Sequence, residues 1–196
     1  MLKHLTLVGA SFFFATGLAI SVLNFTGFDL TVSQHIALHE NSIWLFRFVG
    51  VFASICLMVG LMSFVKDKYH FSGLFSVLVA IICGSMIFVS LIPQIGGTIG
   101  TIHQAFAWIT FSSMQIFAIL ITIGLWGQLC KTLRIFGILY FVYAVFMGSM
   151  YLFNPNYLWS HVFVFESIYL GLFFIYASLL PYMKIKKPSI WQKVLK

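Results

Sequence analysis

His161–Leu180 reads HVFVFESIYLGLFFIYASLL. A helix of about 20 mostly apolar residues crosses the roughly 30 Å of hydrocarbon in a bilayer, and this run has that length and character. One acid, Glu166, lies inside it, and no other long apolar run of the chain holds an acid. Arg47 is the one base inside such a run. A charge left alone in hydrocarbon costs several kcal/mol, so such residues face the bundle interior, take partners and mark functional sites. The reading that follows is that Arg47 and Glu166 lie at similar depth near one side of a membrane. There they pair directly or share a hydrogen-bond network. The competing reading separates them: Arg47 snorkels to lipid phosphate, and Glu166 is protonated or bonded to a nearby tyrosine.

Composition agrees with a membrane chain. Of 196 residues, 61% are hydrophobic and 8% charged, and mean hydropathy is +1.04. Soluble domains carry about 25% charged residues, so this composition leaves a soluble fold no water-facing surface. The net charge of +7 is set by short basic clusters between apolar runs. That is the orientation signal of membrane proteins and not a nucleic-acid footprint. Cys56, Cys83 and Cys130 form no CxxC pair. They read as small packing residues and not as a disulfide or zinc framework.

Six runs are long enough to span: 5–24, 43–65, 71–92, 102–127, 135–153 and 161–183. No barrel-type alternation appears, and lipid cannot satisfy open backbone groups, so each run is expected to be a helix. The first run is too long for a signal-peptide core and lacks a small-x-small cleavage site, so it reads as a span. Lys3, Lys66, Lys68, Lys131, Arg134 and the lysines from Lys184 to Lys196 all fall on one side of a six-span layout. The positive-inside rule then places both termini in the cytoplasm. The expected fold is an all-α polytopic bundle of six transmembrane helices over residues 1–183, with a basic cytoplasmic tail at 184–196. The expected setting is a bacterial inner membrane, with membrane lipids as partners and an oligomer, of like or unlike chains, as an open option. The tail is suited to anionic lipid or to plain solvation.

The links opposite the lysines carry the chemistry. The first is NFTGFDLTVSQHIALHENS (24–42), the second IPQIGGTIGT (92–101), the third NPNYLWS (154–160). His39 precedes Trp44, His103 precedes Trp108, and His161 follows Trp159. This echo suggests a threefold hairpin repeat, or simply that Trp and His favour the headgroup level. His103, Ala107, Thr110 and Met114 share one helical face and form a mildly polar stripe that can line a cavity. Tyr140, Tyr143, Met147 and Tyr151 share another face, which reads as packing. His161 and Glu166 are about 140° apart around their helix. The candidate ligand-binding residues are Arg47, Glu166, His103, His161 and His39. His35 and His39 have the i, i+4 spacing of two metal ligands, and His39, His103, His161 and Glu166 are the candidate set for zinc. A zinc-bound hydroxide near the headgroups would cleave a lipid ester or amide. Haem between His103 and His161 is a remoter option. Retinal is excluded, since no late span holds a lysine.

TVSQHIALHENSIWLFRFVGVFASICLMVGLM (31–62) resembles the entry to the second span of a six-span membrane family, domain of unknown function 998. FVSLIPQIGGTIGTIHQAFAWITF (88–111) is similar to that family's link between spans three and four. Ser33, Pro93 and His103 occupy the matching positions. The resemblance implies a six-helix bundle and no particular activity. The leading functional reading is a protein that binds or transports a lipidic or small amphipathic ligand through a cavity on the outer side. A metal-dependent lipid hydrolase is the second reading. A structural subunit of a larger complex is the third.

Overall fold

The computed structural model describes residues 2–68, 72–127 and 129–182. The basic tail at 184–196 lies outside the described residues. The described secondary structure is helical throughout: α1 (Leu2–Leu23), α2 (Val32–Ala37), α3 (Glu40–Lys68), α4 (Ser72–Leu91), α5 (Gly97–Gly124), α6 (Lys131–Phe153), α7 (Pro155–Ser160) and α8 (Val162–Leu179). A single 3-10 turn, Leu180–Tyr182, follows α8. Six of these helices, α1, α3, α4, α5, α6 and α8, are long and apolar enough to cross a membrane. The protein is a polytopic six-helix bundle. The helices begin earlier than hydropathy alone suggests, α5 at Gly97 and α6 at Lys131. Polar first turns are invisible to a hydropathy window yet continue the same hydrogen-bond ladder.

The six spans form a ring in chain order. Each packs on the next, and α8 closes the ring against α1. His4 Nδ1 and the Tyr182 hydroxyl lie 2.7 Å apart, which brings the start of α1 and the end of α8 to the same end of the bundle. Tyrosine hydroxyls bind α8 to its neighbours. Tyr169 donates to the Phe111 carbonyl of α5 at 3.0 Å, Tyr176 meets the Thr122 hydroxyl at 2.9 Å, and Tyr143 of α6 donates to the Phe165 carbonyl at 3.0 Å. The tyrosine face read in the sequence is therefore divided. Tyr140 is fully buried and Tyr143 partly buried, whereas Tyr151 is exposed.

The most extensive contact joins α1 to α3, and glycine permits it. A Cβ on Gly9 would lie 2.5 Å from the Ala53 carbonyl oxygen and the Leu57 nitrogen, and one on Gly60 would lie 2.5 Å from the Thr6 nitrogen. Lipid gives helices no hydrophobic reason to associate, so close backbone approach at small residues supplies the van der Waals contact. Gly60→Leu should therefore force the two helices apart and cost about 1–3 kcal/mol or more. Gly84→Ala, where a Cβ meets nothing within 4 Å, should leave the melting temperature nearly unchanged. Thermal unfolding of the two variants in the same detergent checks this. Equal losses would mean that the α1–α3 approach is not what the glycine serves.

Candidate functional site

The first link is more ordered than its composition suggests. Thr31 caps α2: its hydroxyl accepts from the Gln34 N–H at 3.1 Å, and the Gln34 side chain accepts from the Thr31 N–H at 2.8 Å. This reciprocal capping box satisfies two of the helix's free donors. The TVSQ stretch carries the signal, and the sequence reading passed over it. The rest of the segment is tied down on several sides. Ser21 donates to the Val32 carbonyl at 2.9 Å, the Asn24 amide to the His35 carbonyl at 3.1 Å, and the Phe163 N–H to the Phe28 carbonyl at 3.1 Å. His35 is fully buried, with its ring stacked on Phe25 and edge-on to Phe163.

Glu166 joins this arrangement. Its Oε2 accepts from the Val32 N–H, the first of α2, at 2.8 Å. Arg47 goes elsewhere. Its Nε donates to the Leu91 carbonyl, the last of α4, at 3.0 Å, and its guanidinium lies 4.8 Å from the ring centre of exposed Trp44. The expected Arg47–Glu166 pair is thus corrected: each residue has its own partner, and each partner is an unpaired backbone group at a helix end. His103 does the same, with Nδ1 against the carbonyl of Ile92 just beyond α4.

Beneath α2 lies a cavity of about 40 Å³ between α1, α3, α4, α5 and α8. Its walls include Phe13, Phe46, Met86, Phe111 and Leu170, and its polar lining is Ser33, His103, Thr110 and Glu166. The predicted stripe of His103, Ala107, Thr110 and Met114 lines it in full. Thr110 is bonded to Ser85 of α4 at 2.7 Å. A second crevice shares Phe13, Val32, Phe46 and Leu170 with the cavity and adds Ser167. A third shares Ser33, Ile36, Phe46, Val89 and His103 and reaches Pro93 and Gln94. Two buried polar atoms of these walls, His103 Nε2 and Ser167 Oγ, have no hydrogen-bond partner among the described residues. Arg47 lines none of the three spaces.

The other candidate histidines are not brought here. His39 is exposed in the break between α2 and α3. It does not share a helix face with buried His35. His161 stacks on Tyr157 at 4.5 Å and bonds Ser160 at 2.8 Å. Among the described residues no three His, Cys, Asp or Glu side chains gather where a metal ion would need them. The zinc set of His39, His103, His161 and Glu166 therefore does not converge. Of the two histidines considered for haem, His103 lies against the Ile92 carbonyl and His161 stacks on Tyr157. The three histidines of the apparent repeat occupy three different environments. Trp44, Trp108 and Trp159 are all exposed, which fits a headgroup belt better than a repeat. The sequence reading missed Phe13, Phe46, Ser33 and Ser167 as wall residues. Within uniformly apolar spans nothing in the spacing of Phe13, Phe46 and Ser167 separates cavity wall from lipid face, and Ser33 lies on α2, in a link that hydropathy does not resolve.

No family model, curated protein or solved structure matches this chain.

Separate partners for Arg47 and Glu166 carry an energetic consequence. Arg47→Met and Glu166→Gln should each lower stability in detergent, and the double variant should lose the sum to within about 0.5 kcal/mol. Recovery of stability in the double variant would instead reveal a direct coupling between the two side chains.

Proposed function

We propose that the cavity beneath α2 binds a lipidic or small amphipathic ligand that enters from the outer side of a bacterial inner membrane. The observation that carries this reading is the convergence of Glu166 and His103 on one space whose other walls are largely apolar and aromatic. Small-molecule sites have this character: apolar walls with a few placed polar groups that fix orientation. A water needs about 10–15 Å³ of such space, so the cavity of about 40 Å³ holds a small head or a short chain end. Ser33, Pro93 and His103, the positions on which the likeness to the six-span family rests, line a crevice that shares Ser33 and His103 with the cavity. Membership of that family is proposed on the same residues.

Native mass spectrometry of the protein in mild detergent tests the reading. The wild-type chain should carry a bound small-molecule or lipid adduct. Ala107→Phe, which fills the cavity from α5, should lose that adduct while keeping its melting temperature. A purely structural role, with Arg47 and Glu166 serving only the fold, gives no adduct in either protein. Orientation has its own test, made in a chain whose native cysteines are replaced by serine. Cysteines placed at Asn24 and Asn156 should react with an impermeant maleimide from outside intact cells, and one at Lys66 should not. The reverse pattern would put the cavity on the cytoplasmic side.

A further inference from the structure

We propose that the group received by this cavity is a primary ammonium, presented by a small amine or by a lipid headgroup. The proposal rests on the cavity reading above and names the chemistry of its ligand. It begins with the tautomer of His103. Nδ1 of that ring lies against the Ile92 carbonyl oxygen, which can only accept, so Nδ1 carries the proton and donates. In the neutral ring Nε2 is then a bare acceptor. It is buried, it has no partner among the described residues, and the residue is 1% exposed. An acceptor shut away from water without a donor costs about 1–3 kcal/mol, so the site is one donor short.

The second acceptor is Glu166. A carboxylate offers about four lone-pair sites, and the bond from the Val32 N–H fills one of them. Among the described residues lining the cavity, Glu166 is the one carboxyl. The hydroxyls nearby do not supply the missing donor. Thr110 is engaged with Ser85 and the Phe106 carbonyl, Ser85 with the carbonyl of Ile81, and the Ser33 hydroxyl lies against that of Thr31. The space therefore presents the bare acceptor of His103, the carboxyl of Glu166 and the rings of Phe13, Phe46 and Phe111. A primary ammonium is complementary on each count. It brings three N–H donors and a positive charge, and aromatic faces attract cations. A carboxylate or phosphate would set acceptor against acceptor. An alcohol would bring a single donor and no charge.

The test uses n-propylammonium, 1-propanol and propionate, which have nearly the same size. Binding is measured by saturation-transfer NMR and calorimetry on the full chain in phosphatidylcholine nanodiscs, with empty nanodiscs subtracted. Propylammonium should bind at least about tenfold more tightly than propanol, the worth of a charge-assisted hydrogen bond, and propionate should not bind. Glu166→Gln should abolish the preference, and Glu166→Asp should keep part of it. Should the Gln variant fail to fold, the preference among the three probes on the wild-type chain still decides. Equal binding of propanol and propylammonium, or a preference for propionate, overturns the ammonium assignment and leaves the cavity reading standing. Failure of all three probes, together with no adduct sensitive to Ala107→Phe, removes both. Once propylammonium binds, phosphatidylethanolamine nanodiscs identify the source. A weakened affinity there shows that the lipid headgroup reaches the site, and an unchanged affinity assigns the site to a free amine.

Discussion

The 2.8 Å hydrogen bond from the Val32 N–H to Glu166 ties the end of the bundle together. It connects the first link, which is irregular on both sides of α2, to the last span of the chain. Irregular backbone near membrane depth is tolerated only where protein or water satisfies its polar groups. Here protein does so at nearly every turn of the link, through Ser21, Asn24, the Thr31–Gln34 box and the Phe28 carbonyl. Without that network α2, only six residues long, could not hold its place, since isolated helices of this length are not stable. The cavity exists because α2 stands over it while Phe13, Phe46 and Leu170 keep the space open below.

Helix ends, and not a side-chain pair, take Arg47, Glu166 and His103. Each helix leaves about four donors and four acceptors unpaired at its termini, and these are the nearest partners available to a residue about one or two turns inside a neighbouring span. The C-terminal end of α4 takes Arg47 on the Leu91 carbonyl. His103 takes the next carbonyl, that of Ile92. Donors at a helix C-terminus also meet the negative end of the helix dipole, which favours a cation there. The start of α2 takes the carboxylate of Glu166. An ion pair between Arg47 and Glu166 would have left both helix ends open, and the backbone groups are the more numerous competitors.

The sequence disclosed the six spans because hydrocarbon imposes a length and a composition that no other constraint imitates. It also disclosed the face of α5 that lines the cavity. His103 and Thr110 stand out against their neighbours, and the spacing of i, i+4, i+7 and i+11 fixes a common side. The partners of Arg47 and Glu166 were not disclosed. A sequence shows which side chains carry charge, but the backbone donors and acceptors at helix ends are the same for every residue type and leave no mark. The roof was missed for a related reason. The capping-box signal of Thr31 and Gln34 is local and clear, but it lies in a link that hydropathy alone treats as solvent-exposed.

The histidines show the limit of pattern in a membrane chain. His35 and His39 have a spacing that suits a shared ligand on one helix, yet α2 ends at Ala37 and the chain turns before His39. His35 is pushed between Phe25 and Phe163, and His39 is left exposed. The reason is packing. α2 rests on α1, α3 and α8, and the residues it buries are Val32, His35 and Ile36, one face of a short helix. A histidine on that face becomes part of the core, and one beyond the end of the helix stays outside. The same rule sets His103 apart from His161. The ring of His103 enters between α4 and α5 and lines the cavity, whereas His161 stands at the entrance of α8, where Tyr157 covers it. Position relative to a helix end, rather than residue type, decides which histidine meets the cavity.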